Sequence, residues 1–331
     1  MPKYSIIIPI YNRPDEIAEL LESLTKQTYT DFEVLILEDN SPNKCDGVVE
    51  SFASRLNVRY FFMPNTDRSI RRNQGMKEAL GEYFILFDSD CIIPPSYFEA
   101  VDAALQLEPC DCFGGPDNAA DDFNDIQKAV NQSMTSFFTT GGIRGGAKQM
   151  EKFNPRSFNM GLSRKAFEWT QGFRSMIGED IDLSLRVRAL GMETKLIRTA
   201  YVYHKRRVDF RRFYNQVNTF GKSRIVLTNA HPGSLKLVHL LPLFFVLGHV
   251  LLLGLGIINP YWFLFLACYV LLLFLDGWIK TKSLKIGLLS VATSYIQLFG
   301  YGIGFLHEAI THKAGKQIQN QEQLYKRSHA N

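Results

Sequence analysis

Residues 83–90 read Tyr-Phe-Ile-Leu-Phe-Asp-Ser-Asp. Five apolar or aromatic residues followed at once by two acids describe a strand buried on both faces that ends in carboxylates. Asp88 and Asp90 stand two apart, so in an extended segment they point the same way. Upstream the pattern recurs. Tyr4–Ile10 is β-branched and apolar and is followed by Tyr11-Asn12. Pro14 then suits a first helical position, with Asp15 and Glu16 at the positive end of the helix dipole. Ile17, Leu20, Leu21 and Leu24 follow on one helical face. Residues 32–37 form a second strand ending in Glu38-Asp39-Asn40-Ser41. Residues 48–56 form a helix, Val58–Met63 a third strand and residues 69–80 another helix. Strands alternating with helices at this spacing predict an α/β fold with a mostly parallel sheet covered on both faces.

In such sheets ligands bind at the carboxyl ends of the strands. Asp39, Asp88 and Asp90 then converge on one crevice. A D-x-D pair is also a common surface turn, but its place directly after an apolar strand favours a functional role. Carboxylate oxygens suit a hard divalent cation, Mg²⁺ or Mn²⁺, and such a cation would neutralise a diphosphate. No G-x-G-x-x-G follows the first strand and no G-x-x-x-x-G-K-[ST] occurs, which disfavours a dinucleotide dehydrogenase and a P-loop NTPase. A metal at Asp90, with Arg72 at the start of a helix, can supply the charge that phosphates need.

Further on, Gly114-Gly115-Pro116 ends a fifth strand and residues 123–138 form an apolar-rich helix. Residues 141–146, Gly-Gly-Ile-Arg-Gly-Gly, cannot hold regular structure cheaply and read as a flexible loop, either a lid or a linker. Gly178-Glu179-Asp180-Ile181-Asp182-Leu183 opens a helix that Gly191 closes. Acids in a first turn are ordinary dipole choices. Three in four residues exceed that need, and one placed in a cleft could act as a general base. A strand over residues 195–202 leads to a single histidine, His204.

The chain has 331 residues, 37 basic and 33 acidic, a net charge of +4. This balance excludes a disordered chain, and its positive excess is too small to point to nucleic acid. Five cysteines with no C-x-x-C pair read as reduced thiols. The first residues lack the pattern of a signal peptide. The charge is unevenly spread. Between residues 237 and 279 the only formally charged residue is Asp276. Leu237–Ile258 and residues 261–279 are each long enough to cross a hydrocarbon core of ~30 Å. Asn259-Pro260 joins them. A weaker run, residues 286–306, follows. Arg206, Arg207, Arg211, Arg212, Lys222, Arg224 and Lys236 precede the first run, and Lys280, Lys282 and Lys285 follow the second. The positive-inside rule puts the N-terminal part in the cytoplasm and the hairpin tip outside. If the third run spans, the basic residues Lys313, Lys316, Lys326 and Arg327 end outside; if it lies in the interface, they stay inside.

Taken together, S-I-I-I-P-I-Y-N, L-E-D-N-S, R-R-N-Q-G, L-F-D-S-D and G-E-D-I-D-L-S-L-R resemble, in order, the motifs of a family 2 glycosyltransferase of the GT-A fold. The resemblance runs from Tyr4 to about His204. It implies a Rossmann-like catalytic domain over residues 1–230; the apolar runs add transmembrane or membrane-associated helices over 235–308, and residues 309–331 read as a polar cytoplasmic or flexible tail. Pro9, Tyr11, Asn12 and Ser89 would line the nucleotide-sugar pocket. Asp39 would bind the base, and Arg72 the nucleotide near its phosphates. Asp88 would touch ribose or metal, and Asp90 would coordinate the metal, joined by His204. Asp180 would be the catalytic base, with Glu179 beside it at the acceptor. The chain departs from the family pattern at Glu38, where Asp is usual, at Asn40, where Gly is common, and at Cys91, where a further Asp often stands.

The implied activity is inverting transfer of a sugar from a nucleotide-diphosphate donor. A catalytic domain on the inner membrane, facing the cytoplasm, points to a lipid-linked saccharide or polyprenyl-phosphate acceptor in cell-surface polysaccharide or glycolipid synthesis. Residues 208–224, basic and aromatic, are either a membrane-surface segment or a solvated helix face. Three alternatives stand beside this reading. A processive polysaccharide synthase would carry Q-x-x-R-W, for which residues 216–221 are a poor substitute. A sugar-nucleotide pyrophosphorylase would carry a Gly-rich N-terminal phosphate loop. A non-enzymatic, membrane-bound nucleotide-binding subunit of an export complex would bind nucleotide without transfer.

Overall fold

The computed structural model describes residues 1–64, 66–118, 124–140, 153–204 and 209–311, with the backbone alone at Asn118 and His204. The elements run β1 (Tyr4–Ile10), α1 (Pro14–Leu24), β2 (Phe32–Asp39), α2 (Asp46–Phe52), β3 (Val58–Met63), α3 (Arg68–Glu78), β4 (Tyr83–Phe87), β5 (Cys91–Ile92) and α4 (Tyr97–Leu107). They continue with β6 (Cys112–Gly114), β7 (Asp117–Asn118), α5 (Asp125–Thr135), α6 (Phe137–Thr140), β8 (Asn159–Ser163), α7 (Arg164–Thr170), α8 (Glu179–Ala189), β9 (Thr194–Leu196) and β10 (Val202–His204). Four long helices follow: α9 (Phe210–Ala230), α10 (Leu241–Ile258), α11 (Phe263–Thr281) and α12 (Leu284–Thr311). The chain packs as two compact units. One comprises residues 1–120, 152–175 and 179–205; the other comprises residues 121–151, 176–178 and 206–331.

The first unit is built on a seven-stranded sheet in the order β3-β2-β1-β4-β8-β6-β9. Strands β3, β2, β1 and β4 are parallel, and β8 runs antiparallel between β4 and β6. Because the chain steps from β1 to β2 on one side and to β4 on the other, a crevice opens at the carboxyl end of β1. Strand alternation sends two sets of side chains to two cores. Tyr4, Ile6, Ile8, Val34 and Ile36 pack with Leu20, Leu21, Val49, Phe98 and Val101 of α1, α2 and α4. Ile7, Leu35, Leu37, Phe84 and Leu86 pack with Met76, Ala166, Leu183 and Val187 of α3, α7 and α8. The parallel, doubly covered sheet read from the sequence is therefore present, extended by antiparallel β8.

Two predicted elements are divided. The strand over 195–202 is two short strands in different sheets: β9 pairs with β6, while β10 joins β5 and β7 in a small three-stranded sheet. The chain turns between them because Ile197 N–H still donates to Gly114 and Ala200 N–H donates back to Ile197. The helix over 123–138 breaks at Ser136, whose extended backbone ends α5 and whose hydroxyl accepts from Phe138 N–H. The glycine-rich residues 141–146 lie outside the described residues.

In the second unit α12 is central: α5, α9, α10 and α11 all pack against it. Leu237–Ile258, Pro260–Thr281 and Leu284–Thr311 are each long and apolar enough to cross a membrane.

At Gly115 a Cβ would lie 1.6 Å from the carbonyl oxygen of Ala200 and 2.6 Å from the Asn159 amide nitrogen. Backbone blocks that approach, so no rotamer can relieve it. Gly115→Ala should cost at least the ~1–3 kcal/mol of an overpacked core. A thermal melt of the purified protein should show a lowered midpoint.

Candidate active site

The site residues gather at the carboxyl edge of the parallel strands. Pro9 is buried in β1 opposite Leu37. It tolerates its missing N–H because β1–β4 pairing has ended at Ile7 and Leu86. Tyr11 is exposed beyond the strand end. Asn12 adopts φ 52°, a left-handed conformation that Asn accepts more readily than most residues. Its amide donates to Ser41 Oγ at 2.8 Å, and its side-chain oxygen accepts from Asn43 N–H at 3.4 Å. The loops after β1 and β2 are thus tied together.

Asp39 ends β2 as a buried carboxylate. It is ion-paired with Arg71 of α3 and accepts from Thr66 N–H at 3.1 Å. Its neighbour Glu38 is fully buried and faces a different set of donors. Tyr60 OH donates at 2.5 Å, Cys45 N–H at 2.9 Å and the Cys45 thiol at 3.2 Å. Burial pushes the Glu38 carboxyl up, but the donors from Tyr60, Cys45 and Ser41 outweigh it and hold the group below its ordinary range. Glu38 therefore braces the β2 end from behind, and Asp39 is the member of the pair near the crevice.

Arg72 is fully buried, yet it carries a charge. One guanidinium nitrogen donates to Asp88 at 2.9 Å and another to Glu179 at 3.0 Å. The Phe173 ring lies 5.4 Å from the guanidinium. Asn73, the next residue, exchanges two hydrogen bonds of 2.8 Å with the backbone of Phe173. Helix α3 thus draws together the turn after β4 and the first turn of α8. Ser89 donates to Glu16 of α1 at 2.8 Å. Asp88 and Asp90 flank it on the same turn. His204 pairs through its backbone with Cys91, the residue after Asp90, so the β5–β10 ladder brings that chain position to the D-S-D turn.

The three acids of α8 have separate partners. Asp182 is fully buried against Arg186 at 2.8 Å, with Arg174 at 3.6 Å, and serves the core. Glu179 takes Arg72. Asp180 accepts from Ile181 N–H at 2.8 Å and lies 3.5 Å from Arg156. Arg71 and Arg156 were not picked out by sequence reasoning. Arg71 had the signal of standing beside Arg72; Arg156 had none, because its partner is 24 residues away.

Among the described residues no three His, Cys, Asp or Glu side chains form a preformed metal cluster. Asp88 and Asp90 nevertheless fit a hard cation. Mg²⁺ is usually held by one or two carboxylates together with substrate phosphates and water, rather than by an all-protein cage.

A four-strand parallel core with a crevice at its switch point, a D-S-D turn and an acidic helix start define a fold of the GT-A type. Residues 5–168 match the model of Glycosyl transferase family 2, and the chain carries a domain of that family. EpsJ of Bacillus subtilis, named as an uncharacterized glycosyltransferase, is 30% identical over 115 residues, which are 34% of this chain and 33% of EpsJ. TarS of Staphylococcus aureus, a poly(ribitol-phosphate) β-N-acetylglucosaminyltransferase, is 36% identical over 94 residues, 27% of this chain and 16% of TarS. The matched stretch thus spans a third or less of these relatives' own lengths. Among solved structures, the mannosyltransferase PcManGT from Pyrobaculum calidifontis, in complex with GDP-Man and Mn²⁺, superposes with a TM-score of 0.64 at 15% identity. That match covers 89% of this chain and 87% of PcManGT, and it shows a shared fold.

Two variants test the site's construction. Arg72→Ala leaves Asp88 and Glu179 without their shared cation and should cost ~3–5 kcal/mol, the usual result of breaking a buried pair from one side. Denaturant unfolding measures this. Tyr60→Phe tests Glu38. With a folded-state pKa below the unfolded value, Glu38 contributes stability above the ordinary carboxyl range, and this is lost as pH falls through its lowered value. Removing the Tyr60 donor moves the Glu38 carboxyl back up, so the variant should be less stable at neutral pH and should lose less stability on acidification than the parent, seen in melts across pH.

Proposed function

We propose that this chain is a membrane-bound inverting glycosyltransferase. It would move a sugar from a nucleotide-diphosphate donor to a lipid-linked saccharide or polyprenyl-phosphate acceptor in cell-surface polysaccharide or glycolipid synthesis. The observation that carries the reading is the Arg72 bridge, which brings the D-S-D turn and the first turn of α8 to one site. Donor leaving group and acceptor are then handled side by side. The GDP-Man named for PcManGT supports a nucleotide-diphosphate donor, and the three apolar helices support membrane attachment.

Tyr11, Asn12 and Asp39 line the crevice for the nucleotide, with Arg71 orienting Asp39. Asp88 and Asp90 would hold a divalent cation, Mg²⁺ or Mn²⁺, and His204 stands at the chain position to add a third ligand. When bound, that cation stabilises the negative charge gathering on the departing diphosphate. Asp180 accepts the proton of the acceptor hydroxyl while the hydroxyl oxygen bonds to the anomeric carbon. The carbon–oxygen bond to the diphosphate breaks on the opposite face, so the anomeric configuration inverts. Glu179, fixed by Arg72, faces the acceptor beside it. Arg156 holds the Asp180 carboxylate in place. The basic flanks of the apolar runs favour a cytoplasmic catalytic domain on the inner membrane.

Purified protein in detergent should transfer or hydrolyse one member of a nucleotide-sugar panel in a metal-dependent way, and Asp90→Ala should not. Asp180→Asn should lower transfer to a hydroxyl acceptor by about 10²–10⁴-fold, the usual range for a positioned base, with donor binding retained. Loss of donor binding in folded Asp180→Asn protein would remove Asp180 from the role of base. A phosphate acceptor arrives already ionised, so near-normal transfer by Asp180→Asn would identify that acceptor class.

A further inference from the structure

We infer that α12, although long and apolar enough to cross a bilayer, does not cross it. Only the α10–α11 hairpin enters the hydrocarbon, and Thr311 lies on the same side as the catalytic part. This rests on the membrane attachment proposed above and not on the sugar chemistry.

The argument starts from what covers α12. Its 28 residues would be about 42 Å long at ~1.5 Å per residue. Helix α5 covers its first half: Lys285 pairs with Asp125 at 2.6 Å, and Thr293 donates to the Ala129 carbonyl at 3.0 Å. Helix α9 covers its second half at very close range. A Cβ at Gly221 would lie 2.1 Å from the Tyr301 carbonyl, and one at Gly304 would lie 2.2 Å from that of Asn218. Asn218 also donates to the Gly300 carbonyl at 3.1 Å. The outer faces of these covering helices are polar. Lys128 of α5 is exposed, as are Arg211, Arg212, Asn215 and Thr219 of α9. A spanning α12 would carry those side chains into the bilayer, where ionised groups are strongly disfavoured.

Most of what α12 leaves uncovered is an apolar stripe: Leu284, Leu288, Ile303, Leu306 and Ile310 are exposed at helical spacing along one side, with the polar exposed residues Lys285, His307 and Thr311 confined to its two ends. Such a stripe suits a helix lying against the membrane, whereas a lipid-surrounded span is apolar all round. The hairpin has that second character. Ile257, Ile258 and Tyr261 at its tip are each more than 80% exposed, and α11 buries only Leu273 and Gly277. It returns to α12 at polar and aromatic contacts: His249 lies 3.2 Å from Tyr295 OH, and the Tyr269 ring is 6.2 Å from that of Tyr295. Asp276 near the end of α11 accepts from Gln132 at 2.8 Å and Ser136 at 2.7 Å, both of the α5–α6 segment. That part of α11 therefore also lies among polar groups. The six residues between β7 and α5, and the five between β10 and α9, are too short to cross a bilayer. Both covering helices therefore stay on the side of the sheet.

Sidedness of single cysteines tests this. The full chain with Cys268→Ser, whose other four cysteines are buried, is given either Leu107→Cys in the exposed end of α4 or Thr311→Cys. Each is treated with a membrane-impermeant maleimide in intact spheroplasts and in inverted vesicles. The expected result is that both label in the same preparation and neither labels in the other. Labelling of Thr311→Cys in the preparation where Leu107→Cys is protected would show that α12 spans and would overturn the inference. Release of the protein by an alkaline carbonate wash would overturn hairpin insertion itself. That outcome is separate from the sidedness result and from any assay of transfer.

Discussion

The first unit is organised around a buried positive charge. Arg72 has no exposed surface, and a lone guanidinium taken out of water at that depth would be strongly disfavoured. It is tolerable because Asp88 and Glu179 each accept from it and because the Phe173 ring lies near it. This requirement works in both directions. The arginine needs two acids from distant parts of the chain, and those acids are held at fixed positions by meeting it. A buried ion group of this kind is weak evidence for stability. Here the geometry aligns the end of β4 with the start of α8, where the proposed donor and acceptor chemistry meet.

A second constraint governs the α-helical unit. Helix α12 is apolar enough to read as a span, yet its neighbours include α5 and α9, which carry charged and amide side chains on their outer faces. Asp276, the one acid in the apolar region, is matched by Gln132, Ser136 and Lys280. Gln132 and Ser136 come from residues 121–151, a segment that the sequence places between strands of the sheet. The unit is thus discontinuous along the chain, and its apolar hairpin and its polar-faced helices share α12 as a common support.

Much of the first unit was legible in the residues. Apolar runs closed by polar ones marked β1, β2 and β4 because a strand buried on both faces must stay apolar until it leaves the sheet, while half-buried β3 at the sheet edge was marked by its apolar and aromatic run alone. The acids at those ends followed from the same rule. Less was legible where pairing is long-range. The segment over 195–202 reads as one strand, but its two halves found different partners, and nothing local encodes that choice. Arg71 and Arg156 escaped notice because an arginine shows its importance only through the carboxylate it meets. Asp180, Asp182 and Glu179 looked alike as three acids in a first turn. Tertiary contacts separated them into one core acid, one bridged acid and one beside Arg156 at the crevice edge.

The amino-acid sequence alone determined the order of strands and helices, the placing of acids at strand ends and the presence of long apolar helices. Each of these is a local property, set by periodicity and by where polarity changes along the chain. Tertiary structure alone decided which acid faces which arginine, that β8 enters the sheet antiparallel, and what covers α12. Those depend on groups tens to more than a hundred residues apart, and the free energy that selects them comes from burying a charge or a helix face against one particular partner.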